Sequence, residues 1–330
     1  MRPFQRFAIA DASQVGEARR AAQLLATELG FGESAAGRLA LGVTELGTNL
    51  VRHAGGGALL LGLDGDTAIE VVSLDNGPGM DVERCLQDGF STAGSAGTGL
   101  GAVKRIANRF SAFSQPQRGA VIAARFEAAT TTAAAPATDL TVAGIGLPAP
   151  GERVSGDSWG LCLKEGRTLL LMADGLGHGP DAAEAADLAL QLFRRCASAA
   201  PAAVLEDAHP SMRSTRGAAV AVVAIERSLD RLLFAGAGNV SGRLINGISD
   251  RGLMSQPGTL GLQIRSLRDV AYDWPEHAIL VLFTDGIVSR WNLADAAGLM
   301  ACGPMVIAGW IIRDYCRGHD DATVVVVRRH

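Results

Sequence analysis

The 330-residue sequence predicts a mixed α/β (α+β) protein of two domains. Three observations predict it. The stretch from Ala128 to Asp139 is built of small residues with no large apolar side chain, and it reads as a linker. Both flanking halves mix helix-length amphipathic segments with short apolar runs of strand length. In the second half, four separated segments deliver an aspartate at a strand end: Asp157, Asp174, Asp285 and the pair Asp320-Asp321. The expected domains are therefore 1–127 and 140–330, joined by 128–139.

Composition narrows the class. Hydrophobic residues make up 48% of the chain and net charge is −4, so two buried cores are within reach and no basic surface for nucleic acid is present. Five cysteines are dispersed without a CxxC pair, which argues for reduced thiols and a cytoplasmic protein. No apolar signal core follows the N-terminal Met-Arg-Pro-Phe-Gln-Arg, and no apolar run approaches the ~18 residues of a membrane span.

In the first half, Arg6–Ala10 is a strand candidate. Asp11 or Ser13 can cap a helix running to about Leu29, with Gly30 as its stop. A second helix is expected from Glu33 to His53. It places Glu45, Asn49 and His53 at i, i+4 and i+8, one polar stripe on an apolar helix; alone, such a stripe is also what a solvated face looks like. Strands are expected at Ala58–Leu63 and Ala68–Leu74. The second runs into Asp75-Asn-Gly77-Pro-Gly79-Met80. A glycine-rich stretch ends in Thr98-Gly99-Leu100-Gly101 before a helix at Ala102–Asn108, and a helix N-terminus behind glycines offers free N–H groups to phosphate.

ExxxN on a helix, then DxGxG, then GTGLG before a helix resembles, in order and spacing, the GHKL (Bergerat-type) α/β sandwich, and within it the RsbT-like switch serine kinases of anti-sigma pathways. The resemblance covers about residues 5–127. It implies that Asn49 ligates the Mg²⁺ of ATP and that Asp75 accepts the adenine amino group. Gly77 and Gly79 would let the backbone pass the base, and Thr98, Gly99, Leu100 and Gly101 would cradle phosphates. Glu45 would be the general base toward a substrate hydroxyl. Lys104, Arg52 and His53 are candidate phosphate neighbours. With a short lid between Met80 and Thr98 and no helix bearing a phosphoacceptor histidine, the two-component histidine-kinase branch is disfavoured.

In the second half, a strand is expected at Leu140–Leu147 and another at Trp159–Leu163. Thr168-Leu-Leu-Leu-Met-Ala-Asp174-Gly175-Leu-Gly-His178-Gly179 follows, with a helix from Gly179-Pro180-Asp181 to about Ala199. A second helix spans Ala202–Met212. A meander is expected at Ala218–Ile225, Leu232–Ala235 and Val240–Ile245. Ala278–Thr284 runs into Asp285-Gly286, and Asp320-Asp321 opens Ala322–Val327. Asp-Gly is a common turn dipeptide, but a buried strand that ends in a carboxylate calls for a partner or a cation.

Read in order, SGD, ADGLGHG, FTDGI and DDATVVVV resemble the metal-dependent PPM serine/threonine phosphatases, with an α-β-β-α sandwich, and among them the SpoIIE and RsbX-like branch. The resemblance implies two Mn²⁺ or Mg²⁺ ions held by Asp157, Asp174, the Gly175 carbonyl, Asp285 and Asp320 or Asp321. Those ions would activate a water against phosphorus. His178 is either a proton donor to the leaving oxygen or a residue that fixes its loop. His319 lies beside the ligands, and Arg153 is the candidate phosphate clamp.

The expected function is that of a partner-switching regulator. Its C-terminal phosphatase would act on phosphoserine or phosphothreonine of a STAS-type anti-sigma antagonist, and its N-terminal ATP–Mg²⁺ site would serve a serine/threonine kinase. A sigma factor is a further candidate partner; nucleic acid and membrane are not. The alternatives are a phosphatase with a non-catalytic ATP-sensing domain, and a switch that sequesters its partner without turnover.

Overall fold

The computed structural model describes residues 2–87, 99–128, 140–226 and 230–329. The chain divides into two compact units: Phe4–Thr138 with Leu293–Arg313, and Met1–Pro3, Asp139–Asn292 and Asp314–His330. The assignment of Leu293–Arg313 to the first unit is a feature that the linear order of motifs does not reveal.

The first unit opens with β1 (Gln5–Ile9) and α1 (Ala12–Glu28). Asp11 caps α1 as expected: its carboxylate accepts the Ser13 and Gln14 N–H groups, and the Gln14 side chain returns to the Asp11 N–H. α2 (Glu33–Asn49) does not continue as α-helix to His53. It passes into a π turn at Leu50–Ala54, which Gly55 closes in the left-handed region (φ 74°). Then come β2 (Gly57–Asp64), β3 (Ala68–Leu74), the short α3 (Val82–Cys85), α4 (Leu100–Ile106), β4 (Arg109–Ser114) and β5 (Ala120–Glu127). The five strands form one antiparallel sheet in the order β1-β2-β3-β5-β4.

The second unit starts with β6 (Leu140–Leu147), β7 (Asp157–Lys164) and β8 (Arg167–Gly175), followed by α5 (Pro180–Arg195) and α6 (Pro201–Ala208). Next are β9 (Ala218–Glu226), β10 (Arg231–Ala237), β11 (Ser241–Ile245), β12 (Asp250–Leu253), β13 (Gly258–Thr259), β14 (Gln263–Ile264), β15 (Val270–Asp273) and β16 (Ile279–Phe283). α7 (Pro304–Tyr315) and β17 (Ala322–Arg329) complete the chain. Two five-stranded sheets, β15-β10-β9-β8-β7 and β12-β11-β16-β17-β6, face one another across a core that includes Met172, Val223, Phe234, Leu280 and Val325. α5 and α6 cover the outer face of the first sheet through Ala186, Leu190, Phe193 and Leu205. The mixed α/β class and the two-sheet sandwich agree with the sequence reading.

In the first unit, strand alternation sends Ile69 and Val71 into a core with Val15, Leu39, Val43 and Leu46 of α1 and α2. Val72, Leu74 and Val121 on the opposite face meet Gly309 of α7, where a Cβ would lie 2.8 Å from Val121. Both faces of β3 are thus buried along its whole length, the polar Glu70 and Ser73 included. No helix among the described residues is long and apolar enough to cross a membrane.

Candidate functional site

Two sites form, one in each unit. The first is a cavity of about 650 Å³ between α2 and the ends of β3 and β5, within the range of small-molecule pockets. Glu45 and Asn49, one turn apart on α2, line it, and the π turn adds Arg52 and His53. The opposite wall carries Asp75, Gly79 and Met80, with Gly99 and Leu100 closing the rim. Gly77, Gly101 and Lys104 do not line it, and Lys104 is solvent-exposed. Thr98 and the preceding glycine-rich stretch lie outside the described residues.

Asp75 is 8% exposed. Its Oδ1 accepts the N–H of Gly77 (2.9 Å) and of Ala120 (3.2 Å), so Gly77 serves the site through Asp75. Oδ2 receives no donor from the described residues and is left as an acceptor. Burial raises the carboxyl above the ordinary aspartate value, while the two N–H groups and Arg313 act against it. Burial likewise raises Glu45, opposed by Arg52, the direction that improves a carboxylate as a proton acceptor. Gly79 has φ 77°, and a Cβ there would lie 2.4 Å from the Gln115 carbonyl oxygen. Only glycine lets this turn pass so close to its neighbour.

The second site gathers the strand-end aspartates. Asp157 and Asp174 are register partners across β7 and β8. β16 and β17 are antiparallel neighbours, so Asp285, just after one, and Asp320-Asp321, just before the other, share one end of their sheet. Thr284 ties the two sheets together at this point. Its hydroxyl donates to Asp157 Oδ2 (2.8 Å) and accepts the Thr323 N–H (2.9 Å). Asn239 Nδ2 donates to Asp285 Oδ2 (2.6 Å). Asp321 is 3% exposed and accepts the Ala149 N–H (2.8 Å), whereas Asp320 is partly exposed and accepts the Asp321 N–H. Gly286 packs against the Asp321 carbonyl.

The electrostatics are those of crowded carboxylates. Burial first, then its acidic neighbours, push Asp174 up to about 9 and Asp157 up to about 7. Asp285 is also raised by burial and by Asp320, with Arg317, Asn239 and His319 acting against it. Asp157 Oδ1 is buried without a hydrogen-bond partner. Among the described residues, no three acidic, histidine or cysteine side chains stand in a ready coordination arrangement. The fit to a cation rests on donor chemistry instead: an all-oxygen set, mutual repulsion between anions and an orphaned buried oxygen. Each suits a hard divalent ion.

Beside the cluster, His178 Nδ1 lies 2.9 Å from Glu152 Oε1, and Arg216 pairs with Asp181 at 2.6 Å. Arg153 is exposed. Thr284, Asn239, Glu152 and Arg317 were not legible as site residues. Thr284 alone carried a sequence signal, its place directly before Asp285.

Comparison with known proteins agrees with both halves. The histidine kinase-like ATPase domain matches residues 8–126 and stage II sporulation protein E (SpoIIE) matches residues 164–330. The serine/threonine-protein kinase RsbT of Bacillus subtilis (strain 168) is 35% identical over 113 residues, covering 84% of that protein and 32% of this chain. A structure from work on the bacterial stressosome, a modular system adapted to control secondary messenger signalling, aligns with a TM-score of 0.53 and 27% identity, over 57% of this chain and 99% of that one. RsbX in complex with magnesium aligns with a TM-score of 0.52 and 18% identity, over 58% and 96% of the two chains. By the match over half its length the chain belongs to the SpoIIE family of PPM-type phosphatases, and in front of that domain it carries an RsbT-related histidine kinase-like ATPase domain, the pairing of a partner-switching regulator.

Proposed function

We propose that the protein sets the phosphorylation state of a STAS-type partner from both sides. Residues 140–330, less the segment that packs in the first unit, would remove phosphate from a serine or threonine of that partner. Residues 1–127 would bind ATP–Mg²⁺ and phosphorylate the same class of protein. The observation that carries the phosphatase reading is the cluster itself: aspartates from four strand ends, of which Asp157, Asp174 and Asp285 are raised by burial and by acidic neighbours. The kinase reading is carried by Glu45, Asn49 and Asp75 on the walls of one cavity.

In the second unit, Asp157, Asp174, Asp285 and Asp320, with the Gly175 carbonyl, would hold two Mn²⁺ or Mg²⁺ ions. When bound, the ions would supply a more acidic water and neutralise phosphoryl oxygens. Asp320 is the outward ligand of its pair. Asp321, buried and held by the Ala149 N–H, braces the strand start. Glu152 takes the Nδ1 side of His178, leaving Nε2 to deliver a proton to the leaving serine oxygen. In the first unit, Asn49 would hold Mg²⁺, Asp75 Oδ2 would accept the adenine amino group, and Glu45 would accept the hydroxyl proton of the protein substrate. Gly99, Leu100 and Gly101 would offer backbone N–H groups to phosphate, with Arg52, His53 and Lys104 as phosphate neighbours.

The test is phosphate release from a phosphoserine STAS-domain protein with Mn²⁺, with and without ATP. Release is expected from the wild type and lost in Asp174→Asn. Transfer of phosphate from ATP to the unphosphorylated partner is expected to disappear in Glu45→Ala while ATP binding persists. ATP binding without transfer in the wild type would leave the ATP-sensing alternative standing. Stoichiometric capture of the partner without either reaction would favour sequestration.

A further inference from the structure

Asp75 is held from an unexpected direction. The segment Leu293–Arg313 lies outside residues 8–126, which match the ATPase domain, yet it belongs to the same compact unit. It is fastened to the β4–β5 end of the sheet at several points. Gly303 N–H donates to Ser111 Oγ (3.1 Å), and Gln115 Nε2 donates to the Asp295 carbonyl (2.8 Å). Trp310, fully buried, meets Phe113 edge-on with ring centroids 4.9 Å apart. At the end of the segment the Arg313 guanidinium stacks on the Trp310 indole at 3.7 Å, which fixes its plane. From there Nη1 donates to the main-chain carbonyl of Asp75 at 2.9 Å.

The other groups of Asp75 are tied as well. Its N–H donates to the Ala120 carbonyl (3.0 Å), and its Oδ1 takes two backbone N–H groups. Arg313 fixes the remaining peptide oxygen, so the residue is clamped on every side but Oδ2. A carboxylate oxygen accepts from the 6-amino group of adenine and repels the 6-oxo group of guanine. Its discrimination depends on being held still, because a loose carboxylate can turn away from the wrong base.

We propose that Arg313 is a positioning residue of the nucleotide site: it clamps the Asp75 peptide so that the free carboxylate oxygen selects a 6-aminopurine nucleotide. The inference rests on the reading of the cavity as an ATP site. It also makes adenine selectivity depend on a stretch that follows Asp285 and precedes Asp320 in the chain.

The experiment is calorimetric titration of the full-length protein with ATP, GTP and inorganic triphosphate in Mg²⁺, for the wild type, Arg313→Met, Arg313→Lys and Asp75→Ala. A charged hydrogen bond of this kind corresponds to roughly a tenfold change in affinity. Arg313→Met is expected to weaken ATP by about that factor and to leave GTP and triphosphate within about twofold. Arg313→Lys keeps a cationic donor and should recover part of the loss. If Arg313→Met keeps its preference for ATP over GTP while Asp75→Ala loses it, Arg313 has no positioning role and the cavity reading survives. A parallel loss of triphosphate binding would mean collapse of the unit and would equally overturn the proposal. A wild type that binds no ATP removes the cavity reading and this inference together.

Discussion

Asp157→Asn separates what the acidic cluster costs from what it does. Asp157 is 3% exposed, faces Asp174 in register, and has one oxygen on Thr284 and the other without a partner. Its carboxyl is pushed from 3.8 up to about 7, by burial first. A folded-state pKa above the unfolded one means that the folded chain keeps a proton the unfolded chain has released. Stability therefore falls as pH rises through that window. The rise from 3.8 to about 7 corresponds to about 4 kcal/mol of destabilisation once the group is ionised. Asparagine keeps the shape and cannot ionise, though its own buried amide costs about 1–3 kcal/mol if poorly partnered. In chelator at about pH 8 the variant should be ~1–3 kcal/mol more stable than the wild type, and at about pH 5, where only about 1.6 kcal/mol of the penalty has developed, within about 1.5 kcal/mol of it. Excess Mn²⁺ should reverse the order, since only the wild type gains binding energy, and Mn²⁺-dependent phosphate release should be absent from the variant. Urea unfolding followed by tryptophan fluorescence reads all of these conditions. A variant less stable than the wild type in chelator at about pH 8, or a difference that does not change with pH, would refute the charge argument.

Thr284→Val removes the donor to Asp157 Oδ2 and the acceptor of the Thr323 N–H, both buried. It should lose about 2–3 kcal/mol by urea unfolding at neutral pH, with Thr284→Ser close to wild type; a valine variant of unchanged stability would contradict the bridge. Gly79→Ala forces a side chain into φ 77° with its Cβ 2.4 Å from the Gln115 carbonyl. A fluorescent ATP analogue should bind it at least about tenfold more weakly, and undiminished binding would show that the turn is not shaped as described.

The elements that the sequence made legible are those whose local chemistry matches their tertiary role. The cap pair Asp11 and Ser13, Gly30 and Pro180 are local signals, and α1 and α5 begin or end beside them, with Asp11 the residue that caps. β8 and β16 are buried apolar runs punctuated by aspartate, so both strand and site residue could be read together. β4 and β5 carry little local signal: Arg109-Phe-Ser-Ala-Phe-Ser114 has weak strand chemistry, and no two-residue hairpin signal joins the pair. α7 is hidden from local pattern for the opposite reason. Val306, Ile307, Ala308, Gly309, Trp310, Ile311 and Ile312 are all buried, so the helix has no polar face and its sequence has no period. The π turn at Leu50–Ala54 was beyond local reading, because the same residues suit an α-helix. Among site residues, carboxylates stood out because a buried charge is expensive. Thr284, Asn239 and Glu152 did not, because neutral or surface polar groups at strand ends and turns are ordinary until the fold shows what they touch.

The way the acidic residues are held decides how their variants should be read. Asp157 and Asp174 face each other because β7 and β8 pair in that register, and Asp285 and Asp320 meet because β16 and β17 are antiparallel neighbours. Their positions follow from backbone pairing among apolar strands, so an Asp→Asn change leaves register, core and chain path in place. A loss of activity in such a variant reports lost charge or lost ligation, not lost scaffold. Substitution at the packing points differs in kind. A Cβ at Gly286 would overlap the Asp321 carbonyl, and one at Gly175 the Ala182 carbonyl. Changes there move the strands that carry the carboxylates, and metal affinity, stability and turnover should fall together. Parallel loss marks the scaffold; loss of turnover with stability gained in chelator marks the site.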